Sequence, residues 1–210
     1  MTILALEFSS EQRSVALARN GAVLAEASET GGRTTGAFGL METALAQAHI
    51  RREDIEIIAV GLGPGSYTGI RAAIALAQGW QLARNVQLIG ITSVAALAAQ
   101  AQSGKIFGTV NVVVDAQRGE FYLATWEISA TACREISPLK IVAVAEIETR
   151  RRGGEILIGP ATGIPLFPAA AMIARLAAGR TDFVSGEKLE PVYLRMTNFV
   201  KMPSARVEPK

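Results

Sequence analysis

Cysteine and histidine are almost absent: Cys133 and His49 stand alone in 210 residues. A single thiol excludes an internal disulfide framework and suits a reducing cytosol. A single imidazole excludes a His-rich zinc site and leaves one candidate base for a His-dependent triad. Aspartate is nearly as scarce, with Asp54, Asp115 and Asp182 the whole supply. Phosphoryl-transfer enzymes hold magnesium through carboxylates, so this scarcity weighs against one. Long apolar runs are missing too. No window approaches the roughly 18 continuous apolar residues of a membrane span. Met1 to Leu6 is a strand-length run without the basic flank of a signal peptide. These absences predict a soluble, cytoplasmic protein with no membrane partner. A charge imbalance is also lacking: the net charge of +2 is no argument for nucleic-acid binding.

What is present is a large apolar supply. Half of the residues are hydrophobic and 19% are charged, enough for one large domain or two small lobes. The chain opens with Ile3-Leu4-Ala5-Leu6, Ser14-Val15-Ala16-Leu17-Ala18 and Ala22 to Ala27, with Asn20-Gly21 between the last two. Three strands with tight turns predict an antiparallel meander. From Ala37 to His49, Phe38, Met41, Ala44, Leu45 and Ala48 recur at helical spacing. His49 falls at the end of that helix, where a capping role suits it.

The chain is organised around the stretch from Ile57 to Arg71. A β-branched run enters it, Gly61, Gly63, Pro64, Gly65 and Gly69 interrupt it, and an Ala-rich segment leaves it. This reads as buried strand, tight loop and helix, with Ser66 or Thr68 as cap. It is neither a Walker loop, a dinucleotide fingerprint nor a nucleophile elbow, because the Lys-Ser/Thr pair, the third glycine and the flanking glycines are each missing or misplaced. The helix N-terminus beyond the loop suits an anion or a partner's polar backbone. Spacing alone favours a plain strand-to-helix turn.

Another strand at Gln87 to Ile91 and a helix capped by Thr92 or Ser93 follow. Ala101-Gln102-Ser103-Gly104-Lys105 is the best boundary, dividing an N-terminal lobe (1–103) from a smaller C-terminal lobe (104–210) with a basic tail. After it come strands at Phe107 to Val114 and Phe121 to Trp126, with more sheet through Ile136 and Ile141. Arg150 to Gly154 reads as a basic turn, Glu155 to Ile158 as a strand and Ala169 to Ala178 as a short helix. The halves share a rhythm, each placing an acidic residue, Glu7 or Asp115, after its first strand. This points to two similar lobes.

Four stretches then carry a resemblance. They are Ile3 to Ser10 with Ser14 to Leu17, Gly63-Pro64-Gly65-Ser66-Tyr67-Thr68-Gly69-Ile70-Arg71, Asp115-Ala116-Gln117-Arg118-Gly119-Glu120-Phe121-Tyr122, and Pro191-Val192-Tyr193-Leu194-Arg195. Together they resemble the TsaB (YeaZ) family, whose members help make threonylcarbamoyladenosine on tRNA. The resemblance implies an α/β fold of the two-lobed actin, hexokinase and Hsp70 (ASKHA) group, with mixed sheets flanked by helices. It implies a non-catalytic scaffold that pairs with TsaD, the metal-bearing paralogue that modifies adenosine-37, and with the ATPase TsaE. It further implies a homodimer when alone, contact with tRNA only through the complex, and no required cofactor beyond weak ATP or ADP binding at an interface. The chain departs from the family in carrying Glu7 where Asp is usual, and Arg33-Thr34-Thr35-Gly36-Ala37 where a His-Ser-Glu stretch opens the first long helix.

Two sets of site residues follow. Wide apolar stripes and small residues on the two first-lobe helices nominate Phe38, Leu40, Met41, Ala73 and Ala77 as the partner interface. A vestigial nucleotide or anion site would gather Glu7, Ser9, Gly63, Gly65, Ser66, Thr68, Gly69, Arg71 and Asp115. The alternative function is an ATP-binding or kinase-like enzyme built on that second set. A hydrolase using Ser66 ranks last, with one distant histidine to serve it.

Overall fold

The computed structural model describes residues 1–31, 36–160, 162 and 164–194. The basic tail from Arg195 onward, and Arg33 to Thr35 of the departed helix opening, lie outside the described residues.

β1 (Thr2–Glu7), β2 (Gln12–Arg19) and β3 (Ala22–Thr30) form the expected meander. β4 (Ile57–Gly61) runs parallel to β1, and β5 (Gln87–Ile91) parallel to β4, giving the order β3-β2-β1-β4-β5. β1 is buried along its whole length because both faces are covered. On one face, α1 (Ala37–Ala48) and α2 (Tyr67–Arg84) set Met41, Ala44, Ile70, Ala73 and Ala77 against Leu4, Leu6 and Val60. The alternation of β1 turns Ile3 and Ala5 to the other face.

The second sheet repeats the plan. β6 (Gly108–Asp115), β7 (Glu120–Ile128) and β8 (Cys133–Ala143) are antiparallel neighbours. β9 (Ile156–Gly159) lies parallel to β6, and β10 (Ile164–Pro165) parallel to β9. The order β8-β7-β6-β9-β10 is that of the first sheet. The rhythm read in the sequence is therefore a shared topology.

The sheets exchange a helix. α3 (Ser93–Ser103) follows β5 but packs on the second sheet, with Val94, Leu97, Ala98 and Ala101 against Val110, Val112 and Val114. α5 (Ala170–Ala177) follows β10 but packs on the first, with Ile173, Ala174 and Ala177 against Ile3, Ala5, Ala16 and Ile89. A cut at 103/104 thus separates the sheets and divides both cores. α5 has no side-chain cap of its own. Its free amides are met from far away in sequence: Ala170 N–H donates to Ser14 Oγ (2.8 Å), Ala171 N–H to Glu26 Oε1 (2.9 Å) and Ala169 N–H to Gln100 Oε1 (3.1 Å). These contacts do for α5 what a local cap does elsewhere, and the Glu26 carboxylate also suits the positive end of the helix.

One expectation fails here. Arg150 to Arg152 is the last turn of a helix, α4 (Val144–Arg152), rather than a basic turn in a loop. Only Ile147 of α4 is buried, against Val113, Leu123, Val142 and Leu157, so almost no apolar period announces it. Arginines at a helix C-terminus complement its dipole. Arg150 also reaches the fully buried Asn111 of β6, whose Oδ1 accepts from Arg150 Nη1 (3.4 Å) and the Thr125 hydroxyl (2.9 Å). Asn111 Nδ2 donates to Glu155 Oε2 (2.9 Å) and the Ile156 carbonyl (3.3 Å).

Candidate functional site

The glycine stretch between β4 and α2 packs against the turn after β1. Ser66 N–H donates to the Ser9 carbonyl (2.7 Å), and Ser66 Oγ caps α2 by accepting from Gly69 N–H (3.3 Å). Gly65 has φ +149°, and a Cβ there would run into the Ser9 carbonyl oxygen. The loop is a close backbone junction, which is why it needs glycine. This is the turn reading that the spacing favoured. Thr92, the second expected cap, does cap α3, accepting from Ala95 N–H, and His49 is the left-handed C-cap of α1.

Glu7 sits directly behind the junction and is wholly buried. Its Oε1 accepts from Ser9 N–H (2.7 Å) and its Oε2 from the Ser93 hydroxyl (2.7 Å); Ser93 Oγ in turn accepts from Gly63 N–H (3.1 Å). Desolvation raises the Glu7 carboxyl above its ordinary value, with the hydrogen bonds from Ser9 and Ser93 pulling the other way. Gly61 makes room for this side chain: a Cβ at position 61 would fall on the Glu7 carboxylate. The extra methylene of Glu is thus taken up by a missing side chain in the neighbouring strand. Neither Gly61 nor Ser93 was legible as a partner of Glu7, since Ser93 is 86 residues away in the chain.

The remaining members of the second set scatter. Thr68 is exposed on the first turn of α2. Arg71 donates to the Tyr67 hydroxyl (2.7 Å) and lies over the Tyr67 ring, 5.0 Å from its centre. Asp115 is exposed, its carboxylate accepting from Gln117 N–H (2.7 Å) and Gln117 Nε2 (2.9 Å) on its own hairpin. Glu7, Ser9, Gly63, Gly65, Ser66 and Gly69 do come together, by the contacts above. Among the described residues, no group of three or more His, Cys, Asp and Glu could hold a metal ion.

The interface set needs a correction. Phe38 is 68% exposed, but Leu40, Met41, Ala73 and Ala77 are 8%, 2%, 0% and 0% exposed. Those four close the chain's own core, because a small-residue face lets α2 lie close on the sheet and α1. The outward face of α2 carries small residues as well, at Ala75 and Gly79. Between the helices runs a groove of about 460 Å³, lined by Phe38, Met41, Ala75, Leu76, Gly79, Trp80 and Ala83, with Arg52, Glu53 and Arg84 completing it. Leu82, 90% exposed, stands further along α2.

Known proteins share this sequence and shape. A family model described as TsaD: tRNA N6-adenosine threonylcarbamoyltransferase matches residues 36–185. The tRNA threonylcarbamoyladenosine biosynthesis protein TsaB of Escherichia coli is 28% identical over 225 aligned residues, covering 93% of this chain and 95% of that protein. The protein of the same name in Bacillus subtilis is 30% identical over 149 residues, 70% of this chain and 64% of that one. The solved structure of YeaZ from Pseudomonas aeruginosa superposes with a TM-score of 0.77 at 24% identity, covering 92% of this chain and 99% of that one.

Proposed function

The chain belongs to the TsaB (YeaZ) family, and from that premise we propose that it serves tRNA threonylcarbamoyladenosine biosynthesis as a docking subunit, binding and stabilising a TsaD-like paralogue. The observation that carries this reading is the groove between α1 and α2, whose lining joins an exposed Phe38 with the small residues Ala75 and Gly79. An apolar groove of this kind on a surface otherwise mixed in character marks a protein contact. A paralogue of the same fold offers a matching pair of helices, and two such pairs pack as a four-helix layer. A TsaE-like ATPase joins the pair, the chain pairs with itself when alone, and tRNA meets it only through the complex.

The competing reading is an ATP-using enzyme with Glu7, Ser9, Ser66 and Asp115 around a nucleotide. The burial of Glu7 and Ser9 weighs against it, as does the turning of Asp115 onto its own hairpin. In the docking reading the chain needs no cofactor, and nucleotide binds weakly at the shared interface.

The test is co-purification with the cell's TsaD homologue, with and without ATP. Gly79→Trp and Phe38→Glu abolish pairing in a chain that still folds. Ala73→Trp is uninformative for docking, since it strikes the core. Full pairing by folded Gly79→Trp moves the interface elsewhere. Magnesium-dependent ATP turnover by the isolated chain, without affinity for the paralogue, replaces this reading with the enzymatic one.

A further inference from the structure

After α5 the chain returns to the first sheet and crosses α2. Val184 forms a bridge to Leu88 on the β5 edge, its N–H donating to the Leu88 carbonyl (3.0 Å). Gly186 is gripped by two side chains of α2: Gln78 Nε2 donates to its carbonyl and its N–H donates to Gln81 Oε1, both at 2.8 Å. Leu189 is buried beside Leu62, in the space left by Gly90 of β5. Val192 N–H then donates to the Leu62 carbonyl (2.9 Å), inside the glycine stretch. Tyr193 stacks on Tyr67, with ring centres 5.3 Å apart and planes at 27°, while Arg71 covers Tyr67 from its own helix.

These contacts have a common pattern. They are sparse, mostly through side chains, and end in an aromatic pair that is 58% and 40% exposed. A segment held in this way opens without unfolding the sheets. Its final anchors also sit on the loop and first turn that fix the direction of α2. We propose that residues 183–193 form a releasable strap, closed by the Tyr193–Tyr67 stack, whose closure holds the glycine stretch and the start of α2 in place. Opening it frees Leu62, Tyr67 and Arg71 together and loosens the entrance to α2. The device lies within one chain and acts without any partner, so it stands or falls separately from the docking reading.

Hydrogen–deuterium exchange on the full chain tests it. In Tyr193→Ala, amides of residues 62–70 and 186–192 exchange roughly 10-fold faster, as expected for loss of an aromatic pair, while β6 and β7 stay protected. Tyr193→Phe keeps the ring and restores most of the protection, losing only the hydrogen bond between the Tyr193 hydroxyl and Arg71. Tyr67→Ala gives the same acceleration, and the double variant adds nothing further, because both remove one clasp. Unchanged exchange at 62–70 in Tyr193→Ala overturns the proposal. So does equal acceleration across both sheets, or failure of Tyr193→Phe to restore protection.

Discussion

The two sheets share a strand order and differ in what covers them. The first places α1 before β4 and α2 after it, and together these helices give an apolar layer with an open groove. The second has α4 before β9 and receives α3 from the first half, and among the described residues no helix stands between β9 and β10. Beneath α4 lies a polar cluster of Asn111, Thr125, Arg150 and Glu155 in place of a wide greasy stripe. A doubled topology therefore does not double the surface. The strands set the frame, and the helices inserted between them decide which lobe carries an open apolar groove.

Substitutions at the strand ends sharpen this contrast most. Both β4 and β9 end on a glycine pressed against its neighbouring strand, but Gly61 faces a side chain and Gly159 a backbone. Gly159→Ala meets the Val113 carbonyl at φ +138° and destabilises by about 4 kcal/mol in urea titrations, with no side-chain change able to relieve it. Gly61→Ala costs about 2–3 kcal/mol as overpacking. It is largely rescued by Glu7→Ala, which removes the group it strikes. Equal rescue, or none, at both sites would break the distinction.

Next comes the buried polar cluster. Asn111→Ala leaves Glu155 and the Thr125 hydroxyl short of a partner and lowers stability by about 2–3 kcal/mol. A loss confined to a few tenths would make the cluster ornamental.

Glu7 gives the first lobe a pH response of defined sign. Its native pKa lies above the unfolded value, so the folded chain holds the proton more tightly. The contribution is full below the unfolded pKa and is lost as pH rises through the native one, by about 1.4 kcal/mol per unit of difference. Glu7→Gln flattens the fall in chemical-denaturation stability above pH 5 and is the more stable protein at pH 8. A steeper fall in the variant refutes the assignment.

The smallest effect compares the two β-turns. Gln117 and Arg118 have φ of 64° and 60°, whereas the turn of residues 8–11 has no such residue. Arg118→Gly relieves one left-handed side chain and raises stability by about 0.5–1 kcal/mol, after the entropy that glycine adds to the unfolded chain.

Much of the frame was legible in the sequence. Alternation and turn residues located β1 to β9 but not the two-residue β10, and helical spacing located α1, α2, α3 and α5. α4 was not legible because a helix with one buried residue has no stripe to read. The interface failed for a different reason. Both faces of α2 carry small residues, Ala73 and Ala77 inward, Ala75 and Gly79 outward, and composition cannot say which face meets the chain's own sheet. The partners of Glu7 and the donors' acceptors at α5 were hidden by distance, at separations from 69 to 156 residues.

The exchange of α3 and α5 bears on synthesis as well as on the finished molecule. A ribosome that has made only the first sheet has not yet made the helix that shields Ile3, Ala5 and Ile89. That greasy surface stays bare until Ala177 leaves the exit tunnel, a window in which the nascent chain is a natural client for a chaperone.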